Sequence, residues 1–282
     1  MYKLTAMKTK FARFILTTLA ALIATGVSFA QDSEEIIELE TYVVEAMEDF
    51  ASRAIEGVTP VSFSTVDKQQ IVSQLGSRDI PMVLNTTPSV YATQQGGGPG
   101  DARINIRGFN QRNVAVMING IPQNDMENGW VYWSNWDGVG DAASSIQVQR
   151  GMSNVNLATP SVGGTLNILT DPAAQTRGGM IRQEFMTGNF LKTTVTGHTG
   201  VINDRFALSA TLVRKTGDNY ARIDKTWSDA WAYYIDSSFE LNDSNRFQLT
   251  ILGAPQRHGQ NLYQHNVAEY DQEFARELGA DP

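Results

Sequence analysis

The feature that most constrains this chain is strict two-residue alternation in its second half. Between Trp231 and Leu241, the side chains of Trp231, Tyr233, Ile235, Phe239 and Leu241 fall on one side of an extended backbone, with Tyr234, Asp236, Ser238 and Glu240 on the other. Phe206, Leu208, Ala210 and Leu212 repeat the pattern, as do Phe247, Leu249 and Ile251 in Arg246–Leu252, while Met180–Met186 and Lys192–Val201 are fainter copies. Five strands with one apolar and one polar face fit a membrane barrel with lipid outside and a polar lumen, and fit half of a soluble sandwich equally well.

Connection lengths and the N-terminus favour the barrel. The links Ile202–Arg205 and Asn242–Asn245 are tight, whereas Lys215–Asp229 is long and polar, and such alternation marks the two ends of an outer-membrane barrel. The aromatics Tyr220, Trp227, Trp231, Tyr233 and Tyr234 gather beside the long loop, as an interfacial girdle requires. At the start, Lys3, Lys8, Lys10 and Arg13 precede an apolar run, Phe14–Val27, that ends at Ser28-Phe29-Ala30, the pattern of a cleaved secretory signal peptide over residues 1–30. The run spans only about 21 Å at 1.5 Å per residue, too short to anchor in a membrane.

Removing that leader leaves 18 basic against 30 acidic side chains, which disfavours nucleic-acid partners. The chain has no cysteine and three histidines, of which His258 and His265 alone lie near each other, so neither a metal nor a cofactor is expected. No Gly-x-Ser-x-Gly, His-Glu-x-x-His or comparable constellation occurs, which points away from catalysis.

Residues 31–57 read as an acidic linker around a β-prone insert, Thr41-Tyr42-Val43-Val44, suited to strand addition on another protein's sheet edge or to an edge strand of the following domain. From 58 to 172 short apolar runs separated by Gly, Asn and Pro predict a small α+β domain. Its helices are expected at Asp67–Leu75, capped by Ser64 or Thr65, and at Asp79–Leu84, and its strands at Arg103–Arg107, Val114–Asn119, Ser145–Arg150 and Thr165–Thr170.

Several motifs in order resemble the TonB-dependent receptors. Glu40-Thr41-Tyr42-Val43-Val44-Glu45-Ala46 looks like the family's TonB box. Asp79-Ile80-Pro81-Met82-Val83-Leu84 with Thr87-Pro88-Ser89-Val90, then Ile104-Asn105-Ile106-Arg107-Gly108-Phe109 and Val116-Met117-Ile118-Asn119-Gly120-Ile121-Pro122, are similar to its plug motifs. Ile146-Gln147-Val148-Gln149-Arg150-Gly151 and Ser161–Thr170 complete the series. The chain departs from the pattern at Asn119, where Asp is usual, and at Ser153–Ala158, which lacks the usual Tyr-Gly.

The resemblance implies an α+β plug domain over 58–172, followed at 178–282 by the first antiparallel transmembrane strands of an incomplete barrel of roughly 22 strands. It also implies residence in the outer membrane among lipid, energy-coupled uptake of a bulky nutrient such as a ferric siderophore, vitamin or oligosaccharide, and pairing of Glu40, Thr41, Tyr42, Val43, Val44, Glu45 and Ala46 with the periplasmic protein TonB. With 111 residues after Asp171, the barrel is expected to be partial. Substrate contact is expected on the apical plug loops Tyr91–Ala102 and Pro122–Asp141, with Gln94, Gln95, Trp130, Tyr132, Trp133 and Trp136 as candidates. The four rings within 130–136 can stack on a ligand or pack in the plug core. Arg107 and Arg150 are expected in plug strands, pairing with barrel carboxylates such as Glu184 or Glu240 or serving as plain surface charge. The rival reading is an exported carbohydrate-binding β-protein without transport activity.

Overall fold

A computed structural model describes residues 53–55, 61–94, 98–151, 161–219, 226–242, 245–259, 268 and 271–279. The leader and the Glu40–Ala46 segment lie outside these residues, as do Gln95, Tyr220 and His265.

Three sheets organise the chain. The first has the order β1-β7-β8-β5-β6, from β1 (Ser62–Asp67), β7 (Ser145–Arg150), β8 (Gly164–Leu169), β5 (Val114–Ile118) and β6 (Ile121–Pro122). Its β5–β8 pair is parallel and the others antiparallel. The second joins β2 (Val90–Gln94), β3 (Ala102–Ile106) and β4 (Phe109–Asn110). Helix α1 (Lys68–Leu75), the 3₁₀ segment Ile80–Thr86 and the short α2 (Val139–Ala142) pack against them, with Ile71, Val83, Leu84, Ile104, Ile146 and Leu166 in the core.

The expected strands of this unit are all present within a residue or two, but β1 and β2 lie where caps and a loop were expected. Ser64 and Thr65 belong to β1, and Asp67 caps α1 by accepting from the Gln70 amide at 2.8 Å. Asp79 precedes the 3₁₀ segment without capping it, because its carboxylate turns to the next loop instead. Arg107 is not in a strand. With Gly108 it forms the two-residue turn between β3 and β4, both residues at positive φ (54° and 82°), the mirror-image turn that tight hairpins favour.

The third sheet runs in the order β13-β12-β11-β10-β9. It comprises β9 (Gly178–Met186), β10 (Phe190–Ile202), β11 (Phe206–Asp218), β12 (Trp227–Asn242) and β13 (Asn245–Gly253), with β14 (Gln256–Gly259) beside the start of β12. His258 therefore lies in a strand. Alternation decides the faces: along β12, Trp231, Tyr233, Ile235 and Phe239 are exposed, while Ser228, Ala230, Ala232, Tyr234, Asp236 and Ser238 are buried. Ile181, Phe185, Leu241, Phe247, Leu249 and Ile251 extend the outward apolar face, and Lys192, Thr194, Thr196, Thr211 and Lys215 line the inward one. This is the apolar-out, polar-in pattern expected of an outer-membrane barrel, and its inward face packs on the other two sheets. Tyr234, expected in the aromatic girdle, points inward, is 2% exposed and joins the plug core.

Candidate functional site

A cleft of about 490 Å³ is formed where β3 and β4 meet the loop before α2. Period-two geometry places Arg103 and Asn105 on the face of β3 opposite buried Ala102, Ile104 and Ile106. Asn110, Gln111 and Arg112 follow, and Trp130 and Tyr132 close the cleft. The guanidinium carbons of Arg103 and Arg112 lie 4.7 and 4.9 Å from the centre of the Trp130 ring. Arg103 is fixed by Asp101 at 2.8 Å. Arg112 is exposed and has no carboxylate partner among the described residues, so the cleft presents positive charge beside a flat ring.

Trp130 is held by local polar bonds. Asp125 Oδ1 accepts from the amides of Glu127 and Asn128, and Asn128 Oδ1 accepts from the Trp130 amide at 2.8 Å. The Asn124 side chain accepts from the Val116 amide and donates to the carbonyls of Val114 and Gly129, tying the loop to β5. The ring cluster therefore divides. Trp130 and Tyr132 line the cleft, whereas Trp133 is 3% exposed, donates from Nε1 to Gln111 Oε1 at 3.2 Å and belongs to the core, with Trp136 packed against that core. Gln94 is a strut instead of a cleft residue: its amide donates to Asp79 Oδ2 and to the Gly98 carbonyl. Asp79 also accepts from the amides of Gly100 and Ala102, and burial lifts its carboxyl above the usual range against the opposing charge of Lys215.

The seam between plug and strands carries ion pairs of the opposite polarity to the one expected. Asp141 of α2 meets Arg182 of β9 at 2.7 Å and Lys192 of β10 at 2.9 Å, and both cations also face Glu184. Asp137 meets Lys215 of β11 at 2.6 Å, and Asp171 pairs with Arg246 of β13. Arg107 and Arg150 make no ion pair with a barrel carboxylate among the described residues. Arg107 is exposed in its turn, and Arg150 donates to Ser62 Oγ, Ser64 Oγ and the Phe63 carbonyl, clasping β1 to β7. Glu184 and Glu240 are taken by strand cations, Glu240 by Arg246 at 3.9 Å. Lys68 of α1 donates to the carbonyls of Asp141 and Ala143, and burial lowers its ammonium to about 8 in spite of Asp141.

Residues 57–165 match the TonB-dependent receptor plug domain. The vitamin B12 transporter BtuB of Vibrio vulnificus is 25% identical over 169 residues, 59% of this chain and 26% of that protein. The probable TonB-dependent siderophore receptor PirA of Acinetobacter baumannii is 29% identical over 164 residues, 54% of this chain and 21% of that one. Among solved structures, the closed form of the ferric-catecholate import receptor Fiu of E. coli K12 superposes with a TM-score of 0.54 at 20% identity, over 73% of this chain and 27% of that chain. This chain thus spans about a quarter of the length of the curated relatives it matches.

Proposed function

Because its plug domain places the chain among the TonB-dependent outer-membrane receptors, we propose that it is the plug and leading barrel segment of an importer for an anionic, planar nutrient such as a ferric chelate. The observation that carries this reading is the open cleft in which the guanidiniums of both Arg103 and Arg112 lie against the Trp130 ring. The exposed Arg112 supplies charge for an anion, and its planar guanidinium, backed by the indole, offers a flat ligand a surface to stack on. A neutral carbohydrate would gain from the ring but not from the arginines.

The loop that leads into β3 lies beside the 219–226 connection, which is shorter than the expected Lys215–Asp229 because β11 runs to Asp218 and β12 begins at Trp227. Gly98 lies against Thr226 and the Gly259 carbonyl, and Gly100 packs directly on Ser134, so the loops around the cleft reach the strand ends that bear this connection. In an outer-membrane barrel the long connections face outward. Ligand would therefore enter from outside while the segment Glu40–Ala46 offers TonB a strand to pair with on the periplasmic side.

Two measurements on the intact receptor test this reading. Calorimetric titration with an anionic ferric catecholate, a neutral ferric hydroxamate and cobalamin should show binding of the first, weakened about tenfold or more by Arg112→Ala. Preference for the neutral chelate or cobalamin would refute the substrate class. Titration with a periplasmic TonB domain should show binding that Val43→Pro abolishes, and unchanged binding would remove Glu40–Ala46 from the coupling role.

A further inference from the structure

A second, much smaller cavity of about 10 Å³ lies in the seam between the end of β8 and strands β11 and β12, room for one water-sized particle. Six of the nine residues that line it, Thr170, Asp171, Ser209, Thr211, Tyr234 and Asp236, carry a side-chain hydroxyl or carboxyl group.

Hydrogen-bond donors converge on the carboxylates around it. The Asn119 amide donates to Thr170 Oγ1 at 2.8 Å, and Tyr234 OH lies 3.0 Å from the same atom. Thr170 has one proton and gives it to Asp236 Oδ2 at 2.8 Å. Gln248 donates to both oxygens of Asp236, and Thr250 donates to Oδ1 at 2.9 Å. Donors on both oxygens favour the ionised form of this carboxyl group against the cost of its burial.

Asp171 is the second carboxylate. Its Oδ1 accepts from Arg246 and from the Ala173 amide, but its Oδ2 has no hydrogen-bond partner although the side chain is 1% exposed. Arg246 is the one cation paired with either carboxylate among the described residues, and it also faces Glu240. Two buried carboxylates against one guanidinium leave a unit of negative charge beside a space for one particle. A water molecule would give Asp171 Oδ2 a donor and leave the charge. A small monovalent cation satisfies both, and a divalent ion would reverse the imbalance.

We propose that this cavity binds a sodium-sized monovalent cation, held by Asp171, Asp236 and the hydroxyls of Ser209 and Thr211, which ties the plug to the barrel wall. The site is independent of what the outer cleft binds.

The test is thermal unfolding of the intact receptor in detergent, in sodium, potassium or choline chloride at constant ionic strength. Sodium should raise Tm along a saturating curve, as a ligand bound only to the native state does, with choline inert and potassium weaker. Thr211→Val removes a hydroxyl at nearly constant shape and should raise the half-saturating sodium concentration by about tenfold. Asp171→Asn should abolish the sodium response. Should that variant not fold, the wild-type salt series and Thr211→Val still decide. Superimposable curves in the three salts, equal effects of sodium and potassium, or an unchanged sodium response in Thr211→Val would each overturn the assignment.

Discussion

Replacing Asp141 by Asn tests the polarity of the plug–barrel seam most directly. The change keeps the shape of the side chain and removes one charge from a cluster where Asp141 is 2% and Lys192 3% exposed in their side chains. Breaking a buried pair by neutralising one partner costs about 3–5 kcal/mol, because the remaining charge stays out of water. The lower end applies, since Glu184 remains 3.3 Å from Arg182 Nε and 3.6 Å from Lys192 Nζ. A loss of about 3 kcal/mol is roughly 150-fold in the local opening equilibrium. The amides of Asp141, Ala142 and Ala143, bonded to the carbonyls of Gly138 and Val139, report it by hydrogen exchange of the intact receptor. Their protection should fall by about two orders of magnitude, and Lys192→Met in the same background should restore part of it by removing the orphaned cation. Protection within about threefold of wild type would refute the view that Asp141 latches the plug to β9 and β10.

Trp133→Ala should cost about 3–5 kcal/mol in urea unfolding by opening the core and stranding Gln111, whereas Trp130→Ala should leave stability nearly unchanged and reduce ligand affinity, so the two rings separate in paired stability and titration assays. Asn119→Asp should lower stability by about 1–3 kcal/mol in urea unfolding, because a carboxylate cannot donate to Thr170 and would add charge beside Asp236. Lys68 titrates near 8 when folded and at its ordinary 10.5 when unfolded, so between those values the unfolded chain holds the extra proton and stability rises with pH. Urea midpoints at pH 7.5 and 9.5 should diverge in wild type more than in Lys68→Met.

Much of the fold was legible because two-residue periodicity survives any partner. The outward row Trp231, Tyr233, Ile235 and Phe239 is where alternation puts it, and Ser145–Arg150 coincides with β7. What escaped reading was decided by tertiary pairing. Ser62–Asp67 carries three hydroxyl side chains and looks like a capping region, yet six register pairs with β7 hold it extended. Tyr234 belongs to the inward row by the same alternation that placed its neighbours, and only its ring chemistry pointed to the girdle. The cleft arginines had a usable signal, since Arg103 and Asn105 alternate with apolar residues of β3. The seam had a fainter one: Lys192 and Lys215 fall on the polar row of their strands, which means a buried ammonium that needs an anion. Asp137, Asp141 and Asp171 could not be matched to the strand cations from sequence, because the pairs are 41 to 78 residues apart and cross between sheets.

The segment from Trp130 to Ala142 joins the two functional regions by the shortest covalent route. It begins in the cleft with Trp130 and Tyr132, and turns into the core through Trp133 and Trp136. It then reaches the seam at Asp137 and Asp141, where it meets β9, β10 and β11. Its two ends are also bridged from outside. Asp79 accepts from Gly100 and Ala102 in the loop that packs on Ser134, and it shares the field of Lys215 with Asp137. Displacement of the cleft loop therefore acts on the charge that Lys215 must balance, and the balance at Lys215 acts on the position of the loop. Such reciprocity is what the proposed coupling between an outer ligand and an inner partner requires. The departure at Asn119 fits the same logic. By donating to Thr170, which in turn donates to Asp236, it adds no further negative charge at the point where Asp171 and Asp236 already crowd one guanidinium.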